Sequence, residues 1–113
     1  MSPITTHILD ISSGTPAAGV TVILSIYGEG DKWDIVAHGT TNEDGRIPDL
    51  LPDGAIMKTG VYRLHFATGA YFHSKNIACF HPFVEVVFEL KEACHHHVPL
   101  LLSPYGYSTY RGS

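Results

Sequence analysis

The chain has 113 residues, 44% of them apolar, and a formal net charge of −4. A chain of this size is expected to form one domain over residues 1–113, with room for a single buried core. The excess of acidic residues leaves no basic stripe that could bind nucleic acid. No apolar run is long enough to span a membrane, and the first residues lack the layout of a secretory signal. We therefore expect neither nucleic-acid nor membrane partners.

Alternating apolar and polar residues predict strands along the chain, because successive side chains of a strand point to opposite faces. In the first half the predicted strands are 4–10, 19–27, 33–40 and a short strand within the proline-containing stretch 47–60. In strand 19–27 the even-numbered residues are apolar and would share one face, which leaves Ser25 on the other. Turns separate these strands, and Asp44-Gly45 is the strongest turn signal.

The second half of the chain continues the pattern. Its predicted strands are 61–68, 83–90, 97–102 and 105–110, and the stretch 70–79, which lacks alternation, is predicted as a short helix. About eight strands with frequent turns and one helix are typical of a sandwich or barrel of antiparallel strands. The sequence therefore predicts an all-β domain.

Two isolated residues are candidates for chemistry. His7 lies within the first strand, where a partly buried imidazole bonded to the backbone is the ordinary interpretation. Arg46 follows the Asp44-Gly45 turn, where a solvated side chain is the ordinary interpretation. Sequence spacing alone does not join them into a site.

The histidine run 95–97 is the third candidate, and strand alternation places His95 and His97 on one face and His96 on the other. Three interpretations remain open. The run could ligate zinc, with His7 completing a set of three donors. It could activate water, because imidazole exchanges protons near neutral pH. It could also be a plain surface cluster.

Two cysteines, Cys79 and Cys94, do not indicate a disulfide framework. In the absence of an export signal we expect both thiols to be reduced.

Three segments together resemble one family. They are the closing run 95–104 with the end Thr109-Tyr110-Arg111-Gly112-Ser113, the opening Thr5-Thr6-His7-Ile8-Leu9-Asp10 followed by Gly14-Thr15-Pro16-Ala17, and the central Thr41-Asn42-Glu43-Asp44-Gly45-Arg46. These segments resemble signatures of the transthyretin-like 5-hydroxyisourate hydrolases. The resemblance covers essentially the whole chain. Its most specific part is the closing tetrapeptide 110–113, which distinguishes these hydrolases from the hormone-carrying transthyretins that share their fold.

The resemblance implies a transthyretin-like two-sheet antiparallel β-sandwich that assembles as a homotetramer, a dimer of dimers. It implies that His7, Arg46, His97 and Ser113 are catalytic. It further implies that Tyr110, Arg111 and Gly112 line the substrate pocket, although Arg111 could instead hold the tail in place. No metal or cofactor is expected. His96 departs from the family, which commonly has tyrosine there; it should point away from the pocket, and it makes adventitious zinc binding by the run easier.

The implied reaction is the hydrolysis of 5-hydroxyisourate to 2-oxo-4-hydroxy-4-carboxy-5-ureidoimidazoline in urate degradation. A histidine would activate water, and Arg46 would stabilise the negative charge that develops on a ring carbonyl. Which of the two histidines is the base stays open, and Ser113 would orient water or the ring through its hydroxyl or a terminal carboxylate. The cytoplasm is the expected compartment, with the peroxisome as the alternative because urate oxidation can occur there. The rival interpretation is a non-catalytic transthyretin-type carrier of a small ligand or hormone; a structural adhesion-type sandwich ranks last.

Overall fold

Two four-stranded sheets pack face to face in the computed structural model, which describes residues 2–113. The strands are β1 Ile4–Asp10, β2 Thr15–Pro16, β3 Thr21–Gly28, β4 Lys32–Thr40, β5 Gly60–Phe66, β6 Val84–Leu90, β7 His96–Ser103 and β8 Gly106–Thr109; the helix α1 is Thr68–Ser74, and a 3₁₀ turn spans Glu29–Asp31. The first sheet has the order β2-β1-β7-β8 and the second β4-β3-β5-β6. The predicted two-sheet sandwich with one short helix is confirmed.

The core lies between the sheets and follows the alternation of the strands. Alternate residues of β1 are buried, as are those of β7 from His96 to Leu102, where Pro99 is buried as well. Ile4, Ile8, Leu24, Leu64 and Leu100 have no exposed surface. The residues between them on β1 and β7 therefore point to the outer face of the first sheet, and this is the face on which the candidate histidines lie.

One strand pair departs from the predicted antiparallel arrangement. Among the described residues five of the six strand pairs are antiparallel, but β1 and β7 run parallel, with Thr5 opposite His97 and His7 opposite Pro99. A parallel pair needs a long connection, and here the chain between β1 and β7 contains five other strands. The parallel register sets which residues of the two strands are neighbours on the outer face.

A β-bulge that the alternation does not predict lies in β4, where Val36 is the extra residue opposite the step from Leu24 to Ser25. Ser25 keeps its predicted face, opposite Arg63 on β5, but is only 2% exposed. Two local predictions were wrong in detail. The stretch 47–59 forms no strand; it is a loop in which Ile47, Leu50 and Leu51 are buried in the core, whereas Ile56 is 92% exposed. The helix α1 begins at Thr68, earlier than predicted, and ends at Ser74.

No helix within residues 2–113 is long and apolar enough to cross a membrane.

Candidate active site

The fold brings together three candidates that are far apart in sequence. His7 on β1 forms an isolated antiparallel bridge with Arg46, which follows the turn after β4. His97, on β7, lies in the strand directly beside β1. The charges of Arg46 and His7 both act on the His97 ring. The two histidines and the guanidinium therefore converge on the outer face of the first sheet.

The turn that carries Arg46 is fixed by its own sequence. The Asn42 side-chain oxygen accepts hydrogen bonds from the backbone N–H groups of Asp44 at 2.9 Å and Arg46 at 3.1 Å. The Ile8 N–H donates to the Gly45 carbonyl at 2.9 Å, which fastens the turn to β1. Gly45 has φ +72°, and a Cβ there would lie 2.4 Å from the Ile8 carbonyl oxygen. Only glycine allows this close approach, and the approach places Arg46 beside His7.

Thr5 lies at the centre of the histidine cluster. Its hydroxyl is 2.8 Å from His97 Nδ1 and 2.8 Å from His95 Nε2. The rings of His95 and His97 are stacked with their centroids 6.3 Å apart. Thr5 was not among the predicted site residues. Alternation places it on the same face as His7, but its contact with His97 depends on the parallel pairing of β1 and β7, for which the sequence carries no local signal.

The end of the chain folds back over His97. The Gly112 N–H donates to the His97 carbonyl at 2.8 Å, and the two residues form an isolated antiparallel bridge. A Cβ on Gly112 would lie 2.5 Å from His97 Cδ2, so the tail packs directly against the imidazole. Together these elements line an open cleft of about 480 Å³, and the lining residues are Thr5, Arg46, His95, His97, Tyr110, Gly112 and Ser113.

Burial lowers the pKa of both histidines, and the neighbouring cation adds to the effect. For His7 the pKa falls below its ordinary value because of burial and then because of Arg46, while a backbone hydrogen bond to Asp44 acts the other way. For His97 the pKa falls because of burial, then Arg46, His95 and His7. Both shifts favour the neutral imidazole, the form that can accept a proton.

Two residues of the predicted neighbourhood lie elsewhere. His96 is on the inner face and 7% exposed, in agreement with the alternation. It lines a second cavity of about 390 Å³, and the Arg111 side chain lines the same cavity, with Nη2 3.9 Å from Cys94 Sγ. Within one chain Arg111 is therefore outside the cleft lining, an arrangement that fits a role in holding the tail. Cys79 and Cys94 are both free.

No three histidine, cysteine or acidic side chains in the described part of the chain are grouped so that they could hold a metal ion. The donor groups of the cleft are instead suited to acid–base chemistry. Neutral imidazoles can take a proton from water, and a guanidinium beside them can stabilise a developing oxyanion. Such an arrangement can support hydrolysis of a small polar molecule with a carbonyl group.

Comparison with known proteins gives a consistent result. The model of the HIUase/Transthyretin family matches residues 4–112. The 5-hydroxyisourate hydrolase of Mus musculus is 47% identical over 114 residues, which cover 99% of this chain and 96% of the mouse protein. The structure of Klebsiella pneumoniae 5-hydroxyisourate hydrolase has a TM-score of 0.84 at 42% identity and covers 97% of this chain and 98% of its own. Sea bream transthyretin, solved in complex with thyroxine, has a TM-score of 0.90 at 35% identity; the match covers 97% of this chain and 94% of the transthyretin chain.

Proposed function

The chain belongs to the HIUase/Transthyretin family, and from this premise we propose that it is a hydrolase that converts 5-hydroxyisourate to 2-oxo-4-hydroxy-4-carboxy-5-ureidoimidazoline in urate degradation. The observation that carries the proposal for the site is the cleft in which Arg46, His97 and the end of the chain meet. Its polar lining suits a planar, polar substrate of the size of a purine.

The reaction uses water and the side chains of the cleft. A neutral imidazole takes a proton as the water oxygen bonds to the ring carbonyl carbon, a contribution of about 10²–10⁴-fold. The carbonyl electron pair moves to oxygen, and the Arg46 guanidinium stabilises the resulting negative charge. When the tetrahedral intermediate collapses, the ring C–N bond breaks and the imidazolium returns its proton to the departing nitrogen. The ring opens and leaves a carboxyl group.

We assign roles by position in the cleft. His97 lines the cleft and is assigned as the base. His7, whose backbone forms a bridge with Arg46, is assigned as the proton-handling partner of His97. Ser113 lines the cleft and orients water or the substrate ring through its hydroxyl. Tyr110 and Gly112 form the substrate-facing wall.

The decisive experiment follows the absorbance decay of 5-hydroxyisourate generated in situ by urate oxidase, with and without the purified protein. A decay that is faster in proportion to protein concentration supports the hydrolase. Decay at the spontaneous rate at all protein concentrations would refute it.

The activity should fall on the acid side with a midpoint below pH 6.5. The base works as a neutral imidazole, and burial together with Arg46 lowers the pKa of His97 below its ordinary 6.5, so the active form persists to lower pH. The measurement is kcat/KM against pH. In Arg46→Gln the midpoint should move upward, because a cation that disfavours protonation has been removed. A parent midpoint above 6.5, or a downward shift in the variant, would contradict the assignment of His97.

A non-catalytic carrier is the second candidate, favoured by the fold similarity to the sea bream transthyretin solved with thyroxine. The carrier interpretation does not account for imidazoles and a guanidinium that converge on one cleft. Thyroxine binding by a protein that leaves 5-hydroxyisourate decay unchanged would favour the carrier.

The protein is proposed to act as a homotetramer, a dimer of dimers, in the cytoplasm. Large apolar side chains that are exposed in the single chain, such as Phe80 at 72% and Tyr105 at 71%, support association between copies. Light scattering of the purified protein tests the tetramer, and fractionation of the source cells tests the compartment.

A further inference from the structure

Thr5 lies between His95 and His97, and the proposed reaction gives it no role. We propose that Thr5, backed by His95, is a positioning residue that holds the proton of neutral His97 on Nδ1 and so leaves Nε2 free to accept a proton from water. The proposal rests on the proposed function, since it specifies how His97 serves as the base.

The chemistry of the hydroxyl restricts the arrangement. His97 Nδ1 and His95 Nε2 each lie 2.8 Å from the Thr5 hydroxyl oxygen. A hydroxyl has one proton to donate, so it can donate to only one of the two imidazoles and must accept from the other. If it donates to His97 Nδ1, the neutral ring carries its proton on Nε2 and has no free lone pair for water. If it accepts from His97 Nδ1–H, Nε2 is free and the hydroxyl donates to His95.

The role of His97 as the base requires the second arrangement. The ring nitrogen that faces the Thr5 hydroxyl is Nδ1. Only a neutral ring that carries its proton on Nδ1 has a lone pair on Nε2 for a proton from water. The backbone of Thr5 acts in the same direction, since it raises the pKa of His97 as a hydrogen-bond acceptor does.

The ring is also held from its other side. His97 Cδ2 packs against Gly112, whose missing side chain leaves the space that the imidazole occupies. The ring therefore has a defined edge toward Thr5, a packed edge toward the tail, and Nε2 as the remaining nitrogen. Orientation of a catalytic histidine through its second nitrogen is the usual way in which a protein fixes its tautomer.

The proton account is balanced. As water attacks, one proton moves to His97 Nε2, and the ring becomes an imidazolium that still donates through Nδ1–H to Thr5. The Thr5 hydroxyl keeps its proton and continues to donate to His95 Nε2. When the substrate C–N bond breaks, the Nε2 proton passes to the departing nitrogen, and the starting tautomer returns without rearrangement of the chain. The titratable and charged groups that face His97 are His7, Arg46, His95 and Tyr110.

Thr5→Val and Thr5→Ser distinguish this role from simple packing. Valine keeps the shape and loses the hydroxyl, and we expect kcat to fall by about 10- to 100-fold, with a smaller change in KM, because one hydrogen bond to the charged ring is lost. Serine should retain most of the activity. In Thr5→Val the acid midpoint of kcat should also move to lower pH, because the acceptor that favours the imidazolium is gone. Thr21→Val, an exposed threonine on β3, is the matched control and should be unchanged.

His95 is tested separately. His95→Leu removes the acceptor that orients the Thr5 proton, so kcat should fall, but by less than in Thr5→Val. Parental activity in His95→Leu would remove His95 from the proposal. Parental activity and pH profile in Thr5→Val, or equal losses in the valine and serine variants, would overturn the role of Thr5.

A readout without substrate separates this proposal from the hydrolase itself. Nitrogen-15 NMR of the imidazole rings at pH 8 should show His97 protonated on Nδ1 in the parent and in Thr5→Ser, and a shift toward the Nε2-protonated form in Thr5→Val. A parent protein with His97 protonated on Nε2 would overturn the proposal. Failure to hydrolyse 5-hydroxyisourate would instead refute the proposed function, whatever the tautomer.

Discussion

Arg46→Gln is expected to lower kcat by about 10²–10³-fold, the loss typical when a preorganised donor to a developing oxyanion is removed. The guanidinium lines the cleft and acts electrostatically on both histidines. Because the Arg46 side chain is exposed and the turn is held by backbone contacts and Asn42, the unfolding temperature should change little. Steady-state kinetics and thermal unfolding measure the two effects.

Two further variants show whether charge alone is sufficient. Arg46→Lys keeps the charge but loses the planar pair of donors, so it should recover only part of the activity. Arg63→Gln is the control; Arg63 lies on the second sheet, 4.5 Å above the Trp33 ring and near Glu85, and its loss should leave kcat at the parental value. An Arg46→Gln enzyme within a few-fold of the parent would remove the guanidinium from the transition state.

Gly112→Ala is expected to lower kcat by about 10²-fold, because a displacement of roughly 1 Å at a catalytic group can have an effect of this size. The added Cβ would lie 2.5 Å from His97 Cδ2, so either the imidazole or the tail must move. Deletion of residues 111–113 should abolish activity altogether, since it removes this contact and Ser113 from the cleft.

The matched control for this substitution is Gly106→Ala. A Cβ at Gly106 would meet only the Ser103 hydroxyl oxygen, at an ordinary 3.8 Å, so its kcat should stay near that of the parent. Circular dichroism and thermal unfolding should show that the deletion variant retains the sandwich. A truncated protein that is folded and fully active would exclude the tail from the mechanism.

Most of the architecture could be predicted from local patterns. Alternation identified the bounds of β1 at Ile4–Asp10, and the Asp44-Gly45 signal located the turn that precedes Arg46. The β-bulge in β4 could not be predicted, because its extra residue, Val36, shifts the pairing of two strands without a change in composition. The short strand predicted within 47–60 is absent because Ile47, Leu50 and Leu51 reach the core from a loop, which apolar content alone does not distinguish from a strand.

The site was less accessible to sequence reasoning. The roles proposed for His7 and Arg46 rest on family resemblance, since an isolated histidine and an arginine after a turn usually have no catalytic role. Neither local sequence patterns nor family resemblance predicted a role for Thr5. Its hydroxyl becomes a partner of His97 only through the parallel register of β1 and β7, and strand pairing between distant segments is a property of the whole fold rather than of any local pattern.

The parallel register of β1 and β7 also affects the stage of folding at which we expect the cleft to form. Thr5 and His97 are 92 positions apart, whereas the strand pairs of the second sheet join residues that are closer in sequence, such as Tyr27 with Trp33 and Phe66 with Val84. Closing so large a loop is entropically costly and slow compared with forming local hairpins. We therefore expect the groups of the cleft to be among the last to meet during folding, so that a chain with only its second sheet formed would lack hydrolase activity.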